Sequence, residues 1–103
     1  MTTEVKKSRR EGKEYFNNGN LKFEGDYLNG KRWKGKGYNK DSIFDFEIKD
    51  GNGKGKEYYD NDVLKFEGEY LNGEKNGEGK DYLKNGKLGF FGEYKNDKKW
   101  HNS

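Results

Sequence analysis

Apolar and polar residues alternate along much of the chain, with Leu21, Phe23, Gly25 and Tyr27 on one parity and Lys22, Glu24 and Asp26 on the other. That period of two belongs to a β-strand with one buried face. Leu64, Phe66, Gly68, Tyr70 and Leu88, Phe90, Gly92, Tyr94 carry the same alternation. Between these strands lie shorter segments, GlyLysGluTyr at Gly12 and Gly55 and GlyLysAspTyr at Gly79, which read as return strands. The connections are Asn-, Asp- and Gly-rich, at Asn17, Asn29, Asp50, Asn61, Asn72 and Asn85. These residues tolerate the positive φ of tight hairpin turns. The pattern predicts nine strands in an antiparallel meander, over residues 12–16, 20–28, 32–38, 43–49, 54–59, 63–71, 77–83, 87–95 and 98–101. The expected fold is all-β: tandem β-hairpins in an open, twisted or curved single-layer sheet.

The long strands are also copies of one another. LeuLysPheGluGlyAspTyrLeuAsnGly at Leu21 returns as LeuLysPheGluGlyGluTyrLeuAsnGly at Leu64, and weaker copies begin at Phe44 and Phe90. The leading Phe thus recurs at Phe23, Phe44, Phe66 and Phe90, in steps of 21, 22 and 24 residues. Such a period marks one supersecondary unit per repeat, too small to bury its apolar face without stacking on its neighbours. The mid-strand glycines Gly25, Gly68 and Gly92 share the aromatic face, where a missing side chain leaves room for a ring. Regular glycines also let a sheet bend toward that face.

Composition makes the core thin. Only 27% of the 103 residues are hydrophobic and 40% are charged, numbers that taken alone resemble a disordered chain. The regular spacing of aromatics overrules them, since each buried ring removes on the order of 150–250 Å² from water. Charge is interleaved along the repeats and sums to +3. The one basic run, Lys6, Lys7, Arg9 and Arg10, suggests an N-terminal arm over residues 1–11 preceding an array over 12–103. The lack of cysteine excludes disulfides and thiolate metal sites and fits a reducing compartment. No apolar run approaches the roughly 20 residues of a membrane-spanning helix.

PheGluGlyAspTyrLeuAsnGly followed by LysArgTrpLysGlyLysGly, and PheGluGlyGluTyrLeuAsnGly followed by GluLysAsnGlyGluGly, resemble the MORN repeat, an aromatic, a Gly, an aromatic, a turn Gly and a GxG pair. The resemblance covers Gly12 to Trp100. Departures are Phe46 in place of the mid-strand glycine in the copy starting at Phe44, and Asp97 in place of the last turn glycine. The resemblance implies a non-catalytic module of extended hairpin sheet, serving protein scaffolding, membrane tethering or phospholipid contact. The choline-binding hairpin repeat has a similar length, but its cages need paired Trp and Tyr, and this chain has only Trp33 and Trp100 with one GluTyrTyr at Glu57.

Candidate chemistry is sparse. Glu24, Asp26, Glu67, Glu69 and Glu93 recur with the period of the fold, as cross-strand partners of lysines do. His101, the sole histidine, has no neighbouring nucleophile or metal-ligand partner. The glycine pairs Gly53, Gly55 and Gly77, Gly79 lack the GKS or GKT and the helix of a phosphate loop. The stripe of Phe23, Tyr27, Phe44, Phe66, Tyr70, Phe90 and Tyr94 reads as core, leaving Trp33, Tyr59 and Trp100 as rim aromatics. Those three, with Lys6, Lys7, Arg9 and Arg10 of the arm, are the candidate binding residues. No enzymatic activity and no cofactor are expected, and the interleaved acids argue against nucleic acid. The expected partner is a protein, another copy of the chain included. The alternatives are an anionic phospholipid surface and, less favoured, a carbohydrate or choline ligand. The expected location is cytoplasmic, peripheral at membranes under the phospholipid alternative.

Overall fold

A computed structural model describes residues 8–100. The described residues form nine antiparallel strands: β1 (Arg9–Tyr15), β2 (Leu21–Leu28), β3 (Lys31–Tyr38), β4 (Phe44–Ile48), β5 (Gly53–Tyr58), β6 (Leu64–Leu71), β7 (Glu74–Tyr82), β8 (Leu88–Lys95) and β9 (Lys98–Lys99). Each pairs only with strands adjacent in sequence, and the sheets do not close into a barrel. No helix among the described residues is long and apolar enough to cross a membrane.

Two kinds of connection alternate. Asn29-Gly30, Asn72-Gly73 and Asn96-Asp97 are two-residue turns with φ of 52 and 80°, 53 and 81°, and 53 and 68°. Positive φ at both central positions matches the twist of the flanking strands. The other loops share one pattern of hydrogen bonds, seen at Phe16–Asn20, Asn39–Ile43, Tyr59–Val63 and Leu83–Lys87: the first N–H donates to the fifth carbonyl and the fourth N–H to the first. The fourth residue takes positive φ in each, at Gly19, Ser42, Asp62 and Gly86.

The expected single layer is broken once. β1 to β4 form a four-stranded sheet and β5 to β9 a five-stranded one. At the seam Lys49 and Asn52 make one isolated bridge around Asp50-Gly51. β4 has only five residues, and Gly53 follows with φ 142°, so the ladder cannot propagate through this turn. β1 also begins at Arg9, earlier than the pattern predicts: Arg9 and Arg10 of the expected arm pair with Leu28 and Tyr27.

One face carries the core. Phe23, Phe46 and Ile48 are buried with Tyr27 and Tyr70 packed against them. In the second sheet Phe66 is fully buried, with its ring 5.0 Å from Tyr94 and edge-on to it. Phe44, expected in the stripe, is instead 54% exposed, while Phe46 is buried. The reason is register: Phe46 faces Gly37, which faces Phe23, so Phe46 aligns with the core rings and its ring stacks on that of Phe23. Gly37 is required there, since a Cβ would lie 2.2 Å from the Phe46 ring. Ile48 then occupies the position of Gly25 and is buried.

The glycines of the aromatic face lie beneath rings of the neighbouring strand. A Cβ on Gly35 would meet Phe23, one on Gly79 would meet Phe66, and one on Gly12 would meet Tyr27, all within 2.8 Å. Gly25 is tighter still, because the register shift between Asp26 and Tyr27 drives the Lys34 carbonyl to 2.0 Å from where its Cβ would stand.

Candidate functional site

Above the core rings the aromatic face carries a repeated polar cluster. In the first copy the Tyr27 hydroxyl donates to Glu14, Arg32 Nε and Nη2 donate to Glu14 at 2.9 and 2.8 Å, and the Arg32 guanidinium lies 4.7 Å from the centroid of Phe23. In the second, Tyr70 donates to Glu57, Lys75 Nζ stands 3.9 Å from Glu57, and the same ammonium lies 4.3 Å from the centroid of Phe66. Lys99 repeats the arrangement near the end, 3.8 Å from Asp81 and 5.0 Å from the Phe90 centroid. Asp81 is one methylene shorter than Glu14 and Glu57, and the buried Tyr94 hydroxyl finds no hydrogen-bond partner.

The first two clusters line a groove of about 470 Å³ whose walls include Glu14, Arg32, Ile48, Glu57, Tyr70 and Lys75. Arg32 crosses the seam, donating through Nη1 to the Lys56 carbonyl of β5. Its charge is therefore neutralised, desolvated and stacked, which makes it a staple between the sheets. Burial pushes the Glu14 carboxyl up, but the hydrogen bonds and charge of Arg32 outweigh it and hold the group below its ordinary range. Burial first, then Glu14 and Glu57 respectively, raise the Tyr27 and Tyr70 hydroxyls well above the tyrosine range. Burial, with Asp81 and Glu57, pushes Tyr94 up to about 12.

Linkage turns these shifts into an expected pH profile. The three tyrosines favour the folded state while protonated, so their stabilisation is whole below pH 10 and is lost as pH rises toward 12. Glu14 acts at the other end: its stabilisation is present above pH 4.5 and lost as pH falls. Ultraviolet titration is expected to show Tyr27, Tyr70 and Tyr94 ionising only with unfolding; all eight tyrosines titrating together near pH 10 in a folded chain would show that the hydroxyls are not held.

On the opposite face, charges pair across strands. Lys13 faces Glu24, Glu24 faces Lys36 and Lys36 faces Glu47. Lys56 faces Glu67, Glu67 faces Lys80, and Lys80 faces Phe91. Asp26 opposes Lys34 and Glu69 opposes Lys54, while Glu93 opposes Glu78. No group of three or more potential metal ligands occurs among the described residues.

Phe91 thus stands where the ladder's alternation calls for an acid. It is 58% exposed, with Lys80 Nζ 5.7 Å from its ring centroid. It also lies on a strand edge. The Glu93 carbonyl accepts from the Trp100 N–H, so the backbone groups of Glu93 point away from β7. Alternation along the strand turns those of Phe91 the same way. β9 reaches only Lys95 and Tyr94, so the edge at 88–92 has no strand on its outer side among the described residues. That edge carries no charge, and Leu88 is exposed beside Phe91.

The expected binding residues are dispersed. Trp33 is half-buried against the turn glycines Gly51 and Gly73, and its carbonyl accepts from the Gly51 N–H at 2.7 Å. Tyr59 is half-buried, bonds the Tyr82 carbonyl at 2.6 Å and lies under Lys65 and Lys84. Trp100 is 50% exposed at the end of β9. Arg9 and Arg10 are exposed on β1, whereas Lys6, Lys7 and His101 lie outside the described residues. Neither Phe91 nor the Arg32 cluster was singled out by residue type. The ladder pattern points to Phe91, and the recurrence of Glu14, Tyr27 and Arg32 as Glu57, Tyr70 and Lys75 points to the cluster.

Compared with protein-family models, with curated proteins and with solved structures, the chain matches none.

Proposed function

We propose that the chain is a non-catalytic, MORN-like repeat module that binds another protein, and that the outer edge of β8 is where it does so. The observation that carries this reading is the uncharged edge with exposed Leu88 and Phe91. Natural edge strands usually carry charges, proline or a covering segment to prevent pairing. An extended partner segment that adds as a strand satisfies the backbone groups of this edge that no described residue pairs and seats alternate side chains on either face. The groove between the sheets supports ligand binding less well, because Glu14, Arg32 and Glu57 already hold one another or Tyr27, Tyr70 and Lys75. Phospholipid binding has only Arg9 and Arg10 to draw on among the described residues of the basic run, and Glu11 follows them.

The test is affinity capture from the source lysate with the wild-type chain beside Phe91→Lys, which places an ammonium on the edge without touching the core. At least one protein is expected on the wild type and not on the variant. Hydrogen exchange with that protein, once purified, is expected to slow at the Phe91 amide. Equal capture by both chains, or protection elsewhere, would remove β8 from the interaction. Cosedimentation with anionic vesicles at two salt concentrations checks the phospholipid alternative, since headgroup attraction fades with ionic strength.

A further inference from the structure

Every connection but one among the described residues joins two strands that pair with each other. The exception is the turn between β4 and β5, held by the single Lys49–Asn52 bridge. Opening that turn breaks no ladder. The halves it separates have four and five strands, each with buried rings on one face, and about three strands with a hydrophobic face suffice for a sheet to stand by itself.

What holds the halves together lies outside the turn. At the loop end the Phe16 ring, only 3% exposed, packs edge-on against Tyr58 at 5.0 Å. In the middle the Lys56 ammonium stands 2.9 Å from the Asp45 carboxylate, and at the turn end Lys31 stands 3.1 Å from Glu74. Each of these contacts has one partner before residue 49 and the other after residue 52, so a second copy can supply either side with the same geometry.

We infer that the chain exchanges halves with a second copy of itself: the turn at 50–53 opens, and β1 to β4 of one copy dock on β5 to β9 of the other. The inference goes beyond the β8 edge and does not depend on it. The exchanged form gives up the Lys49–Asn52 bridge and the two hydrogen bonds of Gly51, from its N–H to the Trp33 carbonyl at 2.7 Å and from the Gly73 N–H to its own carbonyl at 2.9 Å. The contacts between the halves are made again in trans. In return it releases a constrained hinge, since Asp50, Gly51 and Gly53 all hold positive φ, at 51, 81 and 142°. Short constrained hinges favour exchange and long flexible ones do not. Because each copy gives and receives the same half, the product closes as a twofold dimer and grows no further.

The ion pairs across the seam supply the test. Equal amounts of unlabelled and nitrogen-15-labelled chain are mixed at high concentration at the midpoint of the urea transition, then returned to buffer. A species of twice 12.1 kDa is expected, and its share is expected to fall when the same treatment is run dilute. Carbodiimide then joins each lysine to the carboxylate beside it. In the dimer, Lys31–Glu74 and Lys56–Asp45 peptide pairs are expected to link a labelled with an unlabelled chain as often as two chains of one kind. In the monomer they are expected never to mix. Lys13–Glu24, which lies within the first sheet, is the internal control and is expected unmixed in both.

Two hinge variants move the balance in opposite directions. A Cβ on Gly51 would stand 2.6 Å from the Gly73 nitrogen and from the Trp33 ring, so Gly51→Val is expected to raise the dimer share. A glycine-serine insertion after Gly51 is expected to lower it. A dimer whose seam pairs are unmixed would overturn the inference, because the copies would then associate without exchange. A wild type that yields no dimer at all would overturn it too, and if Gly51→Val fails to fold, the isotope pattern of the wild type decides alone.

Discussion

Phe66→Ala is expected to unfold the array. Phe66 is fully buried, with rings of Tyr70 and Tyr94 at 5.7 and 5.0 Å and the Lys75 ammonium over its face. Gly79 has no side chain to collapse into the space, so the cavity stays open. Removing a buried phenyl group costs about 3–5 kcal/mol. A domain's whole stability is about 5–15 kcal/mol, and so thin a core places this chain toward the lower end. Phe91→Ala is the control, expected to move stability by no more than about 0.5 kcal/mol because the ring is already in solvent. Thermal and urea melts of the pair decide the matter. Equal melting temperatures for Phe66→Ala and the wild type would mean that the aromatic stripe is not what holds the sheet.

The second large effect is expected at Arg32→Met, which keeps an unbranched apolar side chain but removes the guanidinium that lies over Phe23 and Phe46. Three hydrogen bonds disappear, two to Glu14 and one across the seam to Lys56. The Glu14 carboxylate is left beside Tyr27 without its cation. Breaking a buried pair on one side costs about 3–5 kcal/mol. Glu14 retains 34% of its side-chain exposure, so solvent screening places the expected loss below that range, near 2 kcal/mol. A Glu14→Gln/Arg32→Met double variant is expected to recover part of the loss, since no uncompensated charge then remains. Additive losses in that cycle would show that the two side chains act separately. The acid limb of the stability profile is also expected to flatten in Arg32→Met, because the depressed Glu14 carboxyl is what couples folding to low pH.

The strands and turns were legible because alternation and Asn-Gly pairs are local signals, and both hold across the hairpins. The register of the second copy was not. Phe44 and Phe46 share one parity, so periodicity cannot choose between them, and the choice is made by Gly37 on the neighbouring strand. The seam at Asp50-Gly51 escaped for a similar reason: its φ values of 51 and 81° match those of the Asn-Gly turns, and what distinguishes it is the shortness of β4 and the φ of 142° at Gly53. Of the candidate site, the aromatic residues were chosen by type. Trp33 proved to be packing against turn glycines. The exposed ring that interrupts the charge ladder, Phe91, becomes visible only once strands are paired.

The strictly neighbour-to-neighbour pairing of the nine strands also determines how the chain reaches this structure. All-β folds are ordinarily slow because distant segments must find one another before any contact rewards them. Here every hairpin closes over a loop of a few residues, and no strand waits for a distant partner. Any hairpin of either sheet can serve as the first structured unit, with its neighbours added in turn. The contacts that need both sheets in place include the bond across the seam from Arg32 to the Lys56 carbonyl, whereas the bonds of Arg32 to Glu14 lie within the first sheet. Refolding of the wild type and of Arg32→Met should therefore proceed at nearly the same rate, with the lost stability appearing as faster unfolding.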